Sequence, residues 1–125
     1  MNTKLDKILA EISAGELVDK ITILEIKKNK ISDDNKLKEI DKELNSLNIT
    51  MDKFILEKSK IQTFKDQLKE INLRLWDIED AKRTAEKNTD FGKNFIELAR
   101  NVYKLNDERA KIKLAINNSL GSNIK

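Results

Sequence analysis

The sequence contains no cysteine and no histidine, and each absence removes a class of chemistry. Without cysteine there is no disulfide framework and no thiol nucleophile, and with histidine also missing there is no Cys/His zinc site. The usual acid–base group for neutral pH is gone as well. Proline is absent, glycine occurs three times, and aromatic residues make up only 5% of the 125 positions. So few turn-forming residues favour long helices over a β-sandwich or barrel. The longest apolar runs are only a few residues, so no membrane span is expected. The opening "MNTKLDKILAEI" interleaves acids with bases and lacks the long apolar stretch of a secretory signal. The cysteine-free composition fits a protein of the reducing cytoplasm.

What the sequence has in abundance is charge. Charged residues make up 38% of the chain, as do apolar ones, and 25 basic against 22 acidic side chains leave a net charge of +3. The two signs are interspersed. A nucleic-acid interface wants a concentrated basic face, so nucleic acid is an unlikely partner and a Lys-rich binding surface is the third-ranked reading. The length fits a single helical domain over residues 1–125, with flexible ends at 1–12 and 121–125.

Periodicity predicts an all-α fold. Ser13 followed by Glu16 forms a capping-box pattern, weakened by Gly15 in the first turn. Leu17, Ile21, Leu24 and Ile31 then recur at helical spacing, and "ITILEI" competes as a strand. Leu37, Ile40, Leu44 and Leu47 mark a short amphipathic helix that "NSLNITMDK" should interrupt. Ile61, Phe64, Leu68, Ile71, Leu75 and Ile78 form an a/d stripe, predicting a helix over 52–87 about 50 Å long. "NTDFG" breaks that run. A last helix from Thr89 or Asp90 carries Phe91, Phe95, Leu98, Val102, Leu105, Ile112 and Ile116, with Gly121 as its C′ residue. The two long helices should make an antiparallel hairpin, with shorter N-terminal helices packed across or beside it. The long stripe makes a homodimer or a helical protein partner plausible.

The polar residues divide by face. Within "LWDIEDAKR", residues 75–83, Leu75 and Ile78 belong to the core stripe and Asp77 to the solvent face. Asn72, Trp76, Glu79 and Arg83 form a second stripe about a quarter turn away, with Asp80 beside it. On the last helix, Ala99, Tyr103, Asn106 and Ala110 flank the apolar stripe, and Arg109 sits within it. A buried arginine needs a partner, so the sequence predicts an interhelical pair of Arg109 with Glu79 or Asp80, with Trp76 and Tyr103 packed nearby. All four arginines fall between residues 74 and 109, against 21 lysines spread over the chain, as if the planar fork of arginine were needed there.

Three functional classes follow from this seam. The leading one is a helical interaction or scaffold protein whose polar seam fixes register. The second is a small-molecule or anion site, in which Arg83, Arg100 and Arg109 meet a phosphate or carboxylate beside Trp76 or Tyr103. In its enzymatic form, Glu79, Asp80, Asp107 and Glu108, with Glu25, would hold Mg²⁺ for phosphohydrolase chemistry, although Arg109 would compete for those carboxylates. No cofactor is expected beyond that Mg²⁺. Asp19, Lys20, Glu25, Lys27 and Lys28 rim the first helix in one reading; in the other, Glu25 or Lys20 joins a central polar network. "SAGE" lacks the Gly–Lys–Ser/Thr ending of a phosphate-binding loop.

Four stretches together resemble the DUF6165 family of small bacterial and phage-associated proteins. They are "GELVDKITILEIK" at 15–27, "LRLWDIEDAKR" at 73–83, "FIELARNVYKLNDERAKIK" at 95–113 and "INNSLGS" at 116–122. The resemblance spans about Ile12 to Ser122 and implies no catalytic role for any position. Gly15, Glu16, Leu17, Asp19 and Lys20 match its opening motif, and Trp76, Glu79, Asp80 and Arg83 its central one. Arg100, Tyr103, Asn106, Asp107, Glu108, Arg109 and Ala110 match the later motif. This chain departs from the family pattern in having Ala14 where a proline often stands, and in lacking an acidic, tyrosine-ending tail.

Overall fold

The computed structural model describes residues 4–125 and is all-α. The flexible end expected at 1–12 lies outside the described residues over 1–3, and residues 4–13 carry no regular secondary structure. Four helices follow: α1 (Ala14–Lys30), α2 (Asp34–Phe54), α3 (Gln62–Lys87) and α4 (Lys93–Leu120). A short 3₁₀ turn, Lys58–Ile61, precedes α3.

Side-chain caps set the starts of α1 and α2. Ser13 Oγ accepts the Glu16 N–H at 3.1 Å, so half of the expected capping box forms. Glu16 does not reach back, because its carboxylate is taken by Lys113 at 2.5 Å. Asp33 caps α2 by accepting the Lys36 N–H. "ITILEI" is helical rather than extended, since Leu17, Val18, Ile21, Leu24 and Ile26 are all buried and only a helix can turn them toward more than one neighbour.

One boundary differs from the periodic reading. "NSLNITMDK" does not interrupt α2, which continues to Phe54, and α3 begins at Gln62 rather than near Asp52. Thr50 Oγ1 donates back to the Ser46 carbonyl, a bond compatible with a continuing helix. The break falls where Ile55 and Ile61 both enter the core, seven residues that a single helix would point in unhelpful directions. The turn leaves Phe54 and Leu56 largely exposed.

α3 and α4 pack as an antiparallel hairpin. Gln67, Glu70 and Ile71 lie level with Glu108, Lys111 and Ile112, and Arg74, Asp77 and Ile78 with Asn101, Lys104 and Leu105. The turn between them closes α3 with a Schellman arrangement. The Asp90 N–H reaches the Ala85 carbonyl at 2.8 Å and the Thr89 N–H that of Glu86. This places Thr89 at φ 51°, a left-handed conformation that a β-branched residue adopts at a cost. At the far end of α4, Gly121 takes the expected C′ role at φ 63°.

α1 lies across the hairpin, its N-terminal half on α4 and its C-terminal half on α3, and α2 packs on α1 alone. The core therefore sits at the open end of the hairpin: Leu17, Val18, Ile21 and Leu24 meet Ile40, Leu44, Met51, Ile61, Leu68 and Ile116. Beyond it the hairpin continues as a two-helix arm. Between residues 73 and 104 only Ala85 is fully buried, and Leu75, Ile78, Phe95, Leu98 and Val102 are half-covered.

Candidate functional site

The polar centre is built around Asp19, which is 0% exposed on the face that α1 turns to the hairpin. A carboxylate so buried requires partners, and three elements supply them. Arg109 of α4 grips it side-on, with Nε 3.0 Å from Oδ1 and Nη2 2.5 Å from Oδ2. Asn72 of α3 donates from Nδ2 to Asp19 Oδ1 and to Thr22 Oγ1, both at 2.9 Å. Thr22 in turn donates to the Asp19 carbonyl at 2.7 Å. Lys113 Nζ lies 3.9 Å from Asp19 Oδ2 while bonding Glu16.

Electrostatics follow from these contacts. The hydrogen bond from Lys113 holds the Glu16 carboxyl below its ordinary range, and its partial burial pushes the other way. The bonds to Asp19 raise the Arg109 guanidinium above its already high value. Two further contacts hold α1 in place. The Gly15 N–H donates to Asn117 Oδ1 at 2.6 Å, and the Ala14 N–H to Ser122 Oγ at 3.1 Å. A side chain at Gly15 would collide with the Lys113 carbonyl, so the glycine permits the close approach of α1 to α4.

The predicted pair of Arg109 with Glu79 or Asp80 does not form. Arg109 lies level with Glu70 and Ile71 rather than with Glu79 and Asp80, and it turns toward α1, where Asp19 is sealed from water and needs a cation. Glu79 lies 3.7 Å from Lys82 and Asp80 pairs with Arg83, both within α3. Asn72, Trp76, Glu79 and Arg83 do line one cleft of about 350 Å³, joined by Arg109, Leu75, Ile23 and Ile26. Asn106 stands beside it, its Oδ1 accepting from Arg109 Nη1 at 3.4 Å. The other candidates are elsewhere. Tyr103 is exposed and not on the cleft, Asp107 is exposed, and Arg100 lies on the outer face of α4 near Lys93 and Ile96.

Lys20 points outward and lies 3.7 Å from Glu16. Glu25 does not join the centre; it sits between Lys65 at 3.8 Å and Lys69 at 3.7 Å. Among the described residues no three carboxylates come together as metal ligands, so Glu79, Asp80, Asp107, Glu108 and Glu25 are not brought into one Mg²⁺ site. Sequence reasoning missed Asp19, Thr22, Lys113 and Asn117 as members of the centre. The signal was present: Gly15, Asp19, Thr22 and Ile26 recur at helical spacing beside fully apolar positions, which places an acid on a buried face.

A family profile described as a family of unknown function, DUF6165, matches residues 8–125. The chain belongs to the DUF6165 family. No curated protein and no solved structure matches it. Three of the four stretches that carry the resemblance hold the Asp19 centre and its supports: α1 from Gly15, α4 through Arg109 and Lys113, and the Asn117–Ser122 end; the stretch at 73–83 lines the adjoining cleft through Leu75, Trp76, Glu79 and Arg83.

Proposed function

We propose that this DUF6165 protein is a helical interaction module that pairs through the outer arm of its α3–α4 hairpin, with a second copy as the partner. The carrying observation is the arm's incomplete cover. Helix α1 reaches Asp77 with Lys30 and then ends, leaving α3 and α4 to run on as two helices alone. A two-helix arm buries only one edge of each apolar stripe, and Phe91, Ile96 and Tyr103 stay exposed beside it. A second hairpin laid against it would complete a four-helix arrangement. The described residues include no helix long and apolar enough to cross a membrane, and the cysteine-free composition suits the cytoplasm.

Sedimentation equilibrium tests the reading. The expected result is reversible dimerisation in the micromolar range, weakened at least about tenfold by Ile96→Lys with Tyr103→Ser, whose side chains are exposed in the single chain. A strictly monomeric species throughout that range would reject self-pairing.

A further inference from the structure

The Asp19–Arg109 pair leaves part of the arginine unspent. A guanidinium has five N–H donors in a rigid fork. Here Nε and Nη2 are turned to Asp19, while Nη1 has only the 3.4 Å contact with Asn106. The Arg109 side chain is 27% exposed, and it lines the cleft of about 350 Å³ at the foot of the arm. That volume lies in the range of about 300–1,000 Å³ usual for small-molecule clefts. Asp19 cannot move with it, being fully buried and held by Asn72. The arginine is thus fixed from behind, with its outer edge held only by the long Asn106 contact and open to an end-on ligand.

The rest of the wall defines the ligand. Ile23, Ile26, Leu75 and Trp76 are apolar, and Trp76 supplies a flat face. The charges are nearly matched: Arg109 with Asp19, Arg83 with Asp80, and Glu79 beside Lys82. A near-neutral wall with one free guanidinium edge favours a single negative charge over the two of a phosphate monoester. A planar carboxylate suits a planar fork. We infer that the cleft between α1 and α3 binds a monocarboxylate carrying a flat apolar group, its carboxylate on Arg109 and its ring against Trp76. This does not rest on self-association of the arm.

Trp76 is the chain's one tryptophan, so its indole N–H gives a single, assignable NMR signal. Naphthoate titrated into the full chain should shift that signal saturably, with a Kd below about 1 mM. Naphthamide, of the same shape without the charge, should bind at least about tenfold more weakly. Arg109→Lys keeps a positive charge for Asp19 but loses the fork; it should weaken naphthoate binding by a similar factor with helix content retained. Should that variant fail to fold, the acid–amide comparison on the unaltered chain still decides. The same chemistry occurs at the end of a peptide terminating in phenylalanine. Tighter binding of such a tetrapeptide than of naphthoate would assign the cleft to a chain terminus, and the reverse would assign it to a free small acid; C-terminal amidation should abolish the peptide's binding. No saturable shift by either acid up to about 10 mM, or equal binding of acid and amide, would overturn the inference.

Discussion

Arg109 and Asp19, ninety positions apart in the chain, meet through Nε and Nη2 on two carboxylate oxygens, with Nη2 2.5 Å from Oδ2. The pair joins α1 to α4, and Asn72 ties the same carboxylate to α3. Removing one member of a buried ion pair leaves the other without compensation, which costs more than removing both. Asp19→Ala should therefore lower unfolding free energy by about 3–5 kcal/mol. The double variant Asp19→Ala with Arg109→Met should lose less than the sum of Asp19→Ala and Arg109→Met made singly. Urea denaturation of the four proteins forms the cycle, and simple additivity would contradict coupling.

Gly15 sets two effects against each other. Helix propensity alone predicts that Gly15→Ala stabilises α1 by about 1 kcal/mol. The added Cβ would overlap the Lys113 carbonyl and sit 3.0 Å from Asn117 Oδ1. Backbone on backbone has little room to yield, and overpacking of this kind costs about 1–3 kcal/mol. The expected outcome is net destabilisation, read as a lower urea midpoint at unchanged slope.

Glu16 makes part of the stability depend on acidity. Lys113 holds its folded pKa below the ordinary value of 4.5. The ionised group thus adds stability that is fully present above the unfolded value and is lost as pH falls through the folded one. The stability gap between the natural chain and Glu16→Gln should be widest near neutrality. It should narrow as the pH drops below about 4.5, measured by denaturation at a series of pH values. A gap that widens on acidification would contradict the Lys113 bond as its source.

Thr89 offers a gain. Its φ of 51° disfavours any residue with a branched Cβ, whereas glycine takes that conformation freely. Thr89→Gly should raise stability by about 0.5–1 kcal/mol, the relief exceeding the extra entropy of the unfolded glycine. A thermal scan reads this directly; a lower Tm would mean that the Thr89 side chain matters more to the turn than its backbone does.

The fold was legible where a period ran long enough to be unambiguous. Leu68, Ile71, Leu75 and Ile78 announce α3, and "NTDFG" its end. The boundary between α2 and α3 was not legible, because no glycine or proline marks it and the break is imposed by the burial of Ile55 and Ile61. Half of the candidate site was also readable. The stripe of Trp76, Glu79 and Arg83 lies on one helix, where spacing fixes direction. The partner of Arg109 was not, since Asp19 lies on another helix. Which acid meets a cation across elements depends on packing that no local pattern encodes: in the hairpin's register Arg109 stands beside the level of Glu70 and Ile71 rather than of Glu79 and Asp80, and Asp19 was the acid without water.

The placement of α1 has a consequence for how the chain is made. Its backbone contacts reach Asn117 and Ser122, more than a hundred positions downstream, and α2 rests on α1 alone. During synthesis α1 and α2 can pair early, yet α1 lacks its contacts with the end of α4 until the last turn of that helix leaves the ribosome. Contacts that close such long loops pay an entropy cost and come after the local ones. A nascent chain stalled before residue 109 would lack the cation for Asp19 and should present α1's apolar faces to chaperones. The whole structure then locks late, when Arg109, Lys113 and Asn117 arrive together.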